Sequence, residues 1–234
     1  MTAMRIPRGG SSCKGVRMKK AAVFDLDGTL LYSLEDLWRS TNQALAHSGY
    51  PSRTMEEVRK FVGNGVGRLI HLAVPRGTGE QEEAQCLAFF REYYKTHMQE
   101  HTRPYDGVTE MLDNLRSMGI RTAILSNKFH AAVCELSQEY FDGKIDMAQG
   151  EQNGIPRKPD PTGLFRLMEK LSVTAQETVY LGDSPEDVFT AQRAGVDFVG
   201  VTWGYRSLTQ LKEAGAARWI QHPGELPELL GKIQ

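Results

Sequence analysis

The chain has 234 residues, of which 40% are hydrophobic and 24% charged, and this composition excludes a wholly disordered or collagen-like protein. Lysine and arginine number 28 against 29 acidic residues, so the net charge of -1 argues against a general nucleic-acid binder. A small anionic substrate stays open, because the field inside a cleft need not follow the net charge. No apolar run reaches the roughly 18 residues of a membrane span, so no membrane association is predicted.

The first segment, residues 1–18, is basic, contains a glycine–serine stretch and lacks the apolar core of a secretory signal. We expect a flexible leader, with Met18 as a second candidate for the first residue. The three cysteines, Cys13, Cys86 and Cys134, are odd in number, and none are spaced as CxxC. This pattern favours a reducing, cytoplasmic compartment over a disulfide framework or a zinc–cysteine site. Cys134 is expected in the core.

The chain then changes character twice. Residues 21–24 form a short apolar run that predicts a buried parallel strand. Residues 33–103 show apolar positions at helical spacing with no strand between them, which predicts an inserted all-helical domain. Within it, the three glycines of residues 62–68 predict a loop whose backbone can approach a ligand closely.

After Pro104, strands and helices alternate along the chain. Strands are predicted at residues 120–125, 178–181 and 198–201, with helices between them, one of which ends at Gly195. Alternation of this kind predicts an α/β fold, a doubly wound parallel sheet with helices on both faces. We therefore expect a core of residues 19–32 and 104–234, interrupted by the helical domain of residues 33–103.

Polar residues cluster where the predicted strands end, which is where open parallel sheets bind ligands. These residues are Asp25 and Asp27 after the first strand, Ser126, Asn127 and Lys128 after the second, Lys158 in a turn before a helix, and Asp183 and Asp187 around a later strand end.

Several carboxylates in one cleft repel each other unless a cation is present, so a hard, oxygen-liganded ion such as Mg²⁺ is expected. A carboxylate beside that ion can attack phosphorus, and a second one can move protons. A serine hydroxyl, backbone N–H groups and a lysine can hold phosphate oxygens. These residue types predict phosphoryl transfer.

Four motifs occur in a fixed order: residues 25–30 (DLDGTL), 126–128 (SNK), Lys158 and 182–187 (GDSPED). Together they resemble the haloacid dehalogenase-like hydrolase superfamily, over about residues 19–230. The resemblance implies a Rossmann-like core, and the inserted helices are similar to that family's small helical cap. The loop at residues 61–65 (FVGNG) resembles the cap loop of phosphoglycolate phosphatases.

The resemblance also implies a role for each motif residue. These roles are Asp25 as nucleophile and Mg²⁺ ligand, Asp27 as general acid/base with its backbone carbonyl on Mg²⁺, Ser126 and Asn127 as ligands of the transferring phosphoryl group, Lys158 as the charge partner that orients Asp25, Asp183 as Mg²⁺ ligand, and Asp187 as a ligand or its neighbour.

The resemblance further implies a small phosphorylated metabolite as substrate, foremost 2-phosphoglycolate, with Mg²⁺ as cofactor. Thr29, Lys128, Gly63 and Gly65 are expected to contribute to the substrate site, and the planar fork of Arg68 suits the substrate carboxylate. A solvated helix position is an equal reading of Arg68.

One position departs from the resembled pattern. Tyr32 stands where similar sequences often carry an acidic residue, so we expect a difference in docking of the helical domain and in substrate choice rather than in the chemistry.

Three alternatives stay open. A phosphosugar mutase of the β-phosphoglucomutase kind or a pyrophosphatase could use the same fold, although Thr29 favours hydrolysis over a mutase. A receiver-type signalling module also uses Asp, Mg²⁺, Ser or Thr and Lys, but its phosphoacceptor lies on a middle strand of one small domain.

No nucleic-acid or membrane partner is expected, and the protein is predicted to be a monomer or a homodimer.

Overall fold

The computed structural model describes residues 18–231. The predicted leader therefore lies outside the described residues except for Met18, whose side chain is exposed. Within residues 18–231, no helix is both long and apolar enough to cross a membrane.

Two sheets form the framework. The larger is a six-stranded parallel sheet, and the smaller is an antiparallel pair of two-residue strands. In chain order the strands are β1 (Ala21–Phe24), β2 (Leu31–Tyr32), β3 (Arg103–Pro104), β4 (Arg121–Phe129), β5 (Met147–Glu151), β6 (Thr178–Gly182), β7 (Asp197–Val201) and β8 (Trp219–Ile220), with β2 and β3 forming the pair.

Ten α-helices complete the described chain, four of them between β2 and β3. Those four are α1 (Leu34–His47), α2 (Met55–Phe61), α3 (Gly65–Ala73) and α4 (Glu80–His97). The six others are α5 (Val108–Ser117), α6 (His130–Phe141), α7 (Thr162–Lys170), α8 (Pro185–Ala194), α9 (Leu208–Glu213) and α10 (Leu226–Leu230). The predicted α/β class is confirmed. We call residues 33–103 the helical insertion; its status as a separate domain stays a prediction.

The order of the large sheet is β5-β4-β1-β6-β7-β8, which puts β1 in the middle. All four residues of β1 are fully buried, as expected of a parallel strand covered on both faces. From β1 the chain builds the sheet first on one side, through β4 and β5, and later on the other, through β6 to β8. The carboxyl end of β1 is thus the switch point where open α/β sheets form their ligand crevice.

The structure corrects the sequence interpretation at β4. This strand, predicted to end at Leu125, continues to Phe129 with a register shift against β5 after Leu125. Ser126, Asn127 and Lys128 therefore lie within the strand rather than after it. They are buried polar residues, which the apolar pattern of a core strand does not predict.

The glycine-rich segment is only partly a loop. Gly63 and Gly65 have φ of 123° and 79°, which glycine adopts without strain, but α3 already begins at Gly65. Val66, Leu69, Ile70 and Ala73 are buried along one face of α3. Apolar residues at this spacing favour a helix, and the segment is helical from Gly65 despite its glycines. The prediction for Cys134 was also wrong, because its side chain is exposed.

A buried carboxylate joins the beginning of the helical insertion to its end. Asp36 of α1 accepts hydrogen bonds from the backbone N–H of His101 and Thr102 and from Thr102 Oγ1, at 2.8–3.0 Å. Apolar residues of the insertion and of the sheet also belong to one continuous buried cluster. The insertion consequently packs over the carboxyl edge of the sheet.

Candidate active site

Three buried carboxylates meet at the switch point of the sheet. Asp25 follows β1, Asp183 follows β6, and Asp187 lies in the first turn of α8. Each offers a carboxylate oxygen, and these oxygens lie within 4.8 Å of one another. The sequence prediction that these residues converge is consistent with this arrangement, because the strand ends that carry them are neighbours in the sheet.

Lys158 lies against this acidic cluster. Its Nζ is 2.8 Å from Asp25 Oδ1 and 2.7 Å from Asp187 Oδ1. Burial alone would lower the pKa of Lys158, but Asp187 and Asp25 more than offset it, and the pKa is raised. Lys158 is therefore a charged side chain held between two acids.

Burial is the largest influence on the pKa values of Asp25 and Asp183. It raises the pKa of Asp25 well above its ordinary value, with Lys158 opposing and Asp187 and Asp183 adding to the rise. Burial and the neighbouring Asp187 raise the pKa of Asp183 to about 7. Without a cation, full ionisation of the cluster is therefore unfavourable, even with Lys158 beside it.

A hard divalent cation fits this donor set, because crowded carboxylate oxygens with uncompensated charge are what Mg²⁺ binds in proteins. Asp25 and Asp183 are better placed as ligands than Asp187. Both oxygens of Asp187 already accept hydrogen bonds, Oδ1 from Lys158 Nζ and Tyr180 Oη and Oδ2 from the N–H and Oγ of Ser184. Of the two roles expected for Asp187, the structure favours that of a neighbour that fixes Lys158.

Asp27 lies beside the cluster in a network of its own. Its two oxygens are 3.0 and 3.2 Å from Lys128 Nζ, and Ser33 Oγ donates to Oδ1. Lys128 Nζ also donates to Tyr94 Oη at 2.7 Å, while Ser33 Oγ lies 3.1 Å from Tyr205 Oη. The carboxylate is held from two sides, as a group that moves protons must be.

The remaining residues of the second motif face different ways. Ser126 lines the cavity described below, where its Oγ accepts from the Lys128 N–H at 3.2 Å. Asn127 is engaged within the protein: its Nδ2 donates to the carbonyls of Gly63 and Lys158, and its Oδ1 accepts from the Lys158 N–H. Asn127 thus ties the insertion and the Lys158 turn to β4.

A small cavity of about 40 Å³ lies between the sheet edge and the helical insertion. One part of its wall is polar and includes Asp25, Asp27, Ser126, Lys128 and Asp183. The facing part is apolar and comes mainly from the insertion: Leu37, Val62, Gly63, Gly65, Val66 and Leu69.

Two predicted substrate residues are not on this wall. Arg68 is exposed on α3 and is not among the cavity-lining residues of the described chain. Thr29 is buried, and its Oγ1 has no hydrogen-bond partner within residues 18–231. The predicted contact of Arg68 with a substrate carboxylate therefore has no geometric support in this arrangement.

Arg206 is a charged cavity residue that the sequence analysis did not predict. Its guanidinium donates to the carbonyls of Arg59, Lys60 and Val62 at the end of α2, while Arg59 Nε donates to the carbonyl of Tyr205. The available signal was its position, five residues beyond the end of β7 at the ligand edge of the sheet.

The sequence of the chain matches the model of the haloacid dehalogenase-like hydrolase family over residues 22–201. The chain belongs to that family. The chain is 31% identical over 222 residues to a phosphoglycolate phosphatase of Neisseria meningitidis, an alignment that covers 92% of the chain and 94% of the relative. A phosphoglycolate phosphatase of Pseudomonas savastanoi pv. phaseolicola is 35% identical over 211 residues, covering 87% and 77%.

A solved structure from Lactobacillus delbrueckii subsp. bulgaricus superposes on this chain with a TM-score of 0.86. The two chains are 32% identical, and the alignment covers 91% of this chain and 98% of that chain. Family and relatives together establish a phosphatase of the phosphoglycolate phosphatase-like group. A receiver-type signalling module is thereby set aside.

Proposed function

We propose that this phosphatase hydrolyses a small phosphomonoester, foremost 2-phosphoglycolate, with Mg²⁺ and through a phosphorylated Asp25. The observation that carries the proposal is the buried contact of Lys158 with Asp187 and with Asp25, which lines the cavity. It fixes the position of Asp25 Oδ1, and positioning of this kind supplies much of the rate of a phosphoryl transfer.

In the first step an Asp25 carboxylate oxygen attacks phosphorus while the bond from phosphorus to the ester oxygen breaks. Asp27, two residues along and held by Lys128 and Ser33, gives a proton to the departing alkoxide. The products of the step are the free alcohol and an acyl phosphate on Asp25. Ser126 lines the cavity and can face the oxygens of the transferring group, while Lys158 stays in contact with the attacking Asp25 carboxylate.

In the second step water attacks the acyl phosphate, Asp27 accepts its proton, and Asp25 is released with inorganic phosphate. Asp27 thus returns to the protonated form in which it began, and no further reactant is needed. The apolar wall of the insertion limits the water that can reach the acyl phosphate.

Asp25, Asp183 and the backbone carbonyl of Asp27 would hold the Mg²⁺, with Asp187 beside them. When bound, the ion supplies charge neutralisation for the phosphoryl oxygens and for the crowded carboxylates.

The choice of 2-phosphoglycolate rests on the names of the relatives and on the site. A cavity of about 40 Å³ favours a small leaving group over a hexose. Arg206, a cavity-lining cation, is a candidate partner for the substrate carboxylate. The cytoplasmic location and the monomeric or dimeric state stay predictions.

The test is phosphate release from 2-phosphoglycolate, a hexose 1-phosphate and pyrophosphate, each with Mg²⁺ and after exhaustive chelation. We expect Mg²⁺-dependent turnover of 2-phosphoglycolate, and none by the Asp25→Asn variant, whose amide cannot attack phosphorus. Preferred turnover of pyrophosphate, or isomerisation of the hexose phosphate without phosphate release, would replace the proposed activity by one of the alternatives. Full activity after chelation would show that turnover does not require Mg²⁺.

A further inference from the structure

Lys128 has all three of its ammonium protons engaged by protein groups. Its Nζ lies 3.0 Å from Asp27 Oδ1, 3.2 Å from Asp27 Oδ2 and 2.7 Å from Tyr94 Oη. The side chain is buried, so water does not compete for these protons. An ammonium group has three donors and no more, and binding a substrate oxygen would require Lys128 to release one of these partners.

The two partners of Lys128 belong to different parts of the fold. Asp27 follows β1 at the centre of the sheet, whereas Tyr94 lies on α4 of the helical insertion. The Tyr94 ring also contacts the lysine, with Nζ 4.7 Å from the ring centroid, and packs edge-on against Phe129 of β4. Tyr94 is fully buried. The Tyr94 hydroxyl of the insertion thus contacts Lys128, the lysine that binds the Asp27 carboxylate.

Lys128 restrains the orientation of the Asp27 carboxylate as well as pairing with its charge. Lys128 contacts both carboxylate oxygens, which fixes the plane of the carboxylate. Ser33 holds Oδ1 alone and therefore leaves rotation about the last side-chain bond less restricted. Tyr94 in turn fixes Lys128, whose long unbranched chain would otherwise have several rotamers available.

We propose that Lys128 and Tyr94 are positioning residues that orient Asp27 for proton transfer, and that Tyr94 makes this orientation depend on the helical insertion lying over the cleft. The inference rests on the proposed function, in which Asp27 protonates the leaving group. It assigns Lys128 a task different from the substrate binding expected from the sequence.

The variant that tests this is Tyr94→Phe, with Tyr93→Phe as matched control. Tyr93 is the preceding residue of α4 and stacks on Phe89 and His97, away from Lys128. Both changes remove one phenolic hydroxyl from the same helix. The readout is the single-turnover rate of enzyme phosphorylation by 2-phosphoglycolate, whose alkoxide needs a proton, and by p-nitrophenyl phosphate, whose phenolate does not.

For Tyr94→Phe we expect the rate with 2-phosphoglycolate to fall about 10-fold and the rate with p-nitrophenyl phosphate to stay within about twofold. Tyr93→Phe should match the wild-type protein on both substrates. A structural defect alone would lower both rates together. Parallel loss on the two substrates, or loss on neither, would overturn the proposal.

A double variant separates this inference from the proposed function. If Tyr94 acts through Asp27, Tyr94→Phe should cost nothing further in the Asp27→Asn background. Additive losses would show that Tyr94 acts by another route and would overturn the inference. If Asp27→Asn lowered the rates with the two substrates equally, the proposed proton transfer would be overturned, and the inference with it.

Discussion

Glycine is required at position 204 because the Asp183 side chain occupies the space beside it. A Cβ built on Gly204 would lie 2.2 Å from Asp183 Cβ and 2.5 Å from Oδ2, and one on Gly28 would lie 2.5 Å from the same oxygen. The two glycines come from the loops after β7 and β1, respectively. Asp183, the expected metal ligand, is thus confined by glycine backbone on two sides. It also accepts a hydrogen bond from the Tyr205 N–H at 2.6 Å.

Gly204→Ala is expected to lower kcat/KM for 2-phosphoglycolate by about 100-fold, because a methyl group at this distance must displace the Asp183 carboxylate by about an ångström. Steady-state kinetics at saturating Mg²⁺ measure the loss. Gly79→Ala is the matched control, since a Cβ there meets only Glu82 Oε2 at 3.7 Å. Near-wild-type activity of Gly204→Ala would mean that the position of Asp183 does not matter to turnover.

At the scale of elements, the junction between α2 and the loop after β7 decides how the helical insertion sits on the core. Arg206 satisfies carbonyls that the end of α2 leaves without helical partners, and Asn64 Nδ2 donates to Glu186 Oε1 of α8 at 2.8 Å. Together with the contact of Asn127 to the Gly63 carbonyl, these bonds surround the glycine turn that roofs the cavity.

Arg206→Lys should raise KM for 2-phosphoglycolate about 10-fold, equivalent to about 1.4 kcal/mol, because a lysine cannot span three carbonyls with a rigid fork. Arg68→Ala should change KM less than twofold, since Arg68 is exposed on α3. Steady-state kinetics of the two variants side by side check both statements. A larger effect at Arg68 than at Arg206 would restore the role first expected of Arg68.

Local pattern predicted the elements that carry motifs, and it failed where long-range contacts decide. The apolar run of β1 and the glycine that closes α8 are local signals, and both elements lie where expected. The polar end of β4 can be buried because the side chains of Asn127 and Lys128 find partners far along the chain. No spacing rule links Tyr94 to Lys128 across 34 residues. The acidic cluster was predictable from motif order, whereas the partners of its members were not.

At the scale of the whole molecule, a buried lysine ties the start of β1 to the other half of the sheet. Lys19 Nζ donates to the carbonyls of Gln176 and Thr178 at 2.9 Å and to Asp197 Oδ2 at 2.5 Å. Burial alone would raise the pKa of Asp197, but Lys19 and, less strongly, Arg218 lower it below its ordinary value of 3.8. A carboxyl that is more acidic in the folded state stabilises the fold above that value and ceases to do so as the pH falls through its folded pKa.

Asp197→Asn should therefore cost about 1 kcal/mol of unfolding free energy at pH 7, a figure kept low because the Asp197 side chain is 38% exposed. The cost should shrink as the pH falls below 3.8, where the wild-type carboxyl also becomes neutral. Urea unfolding of both proteins between pH 3 and pH 7 measures the difference. A difference that does not change over this range would show that the charge of Asp197 is not what stabilises the fold.

The acidic cluster opposes the stability of the metal-free fold, since Asp25, Asp183 and Asp187 are buried with one lysine between them. Asp183→Asn removes one of these charges without changing the shape of the side chain, so the chelated variant should melt a few degrees above the chelated wild-type protein. Mg²⁺ at about 100 times its dissociation constant should stabilise the wild-type protein by about 2.7 kcal/mol, roughly 5–10 °C in melting temperature.

The same Mg²⁺ addition should move the Asp183→Asn variant far less, because one of the expected ligands is now an amide. Differential scanning calorimetry of the two proteins, each with chelator and with Mg²⁺, gives the four melting temperatures. The decisive result is the order of the melting temperatures. The variant should melt above the wild type with chelator, and below it or level with it when Mg²⁺ is present. A variant that melts below the wild type under chelation would mean that Asp183 is worth more to the fold through its hydrogen bond from Tyr205 than it costs by its charge.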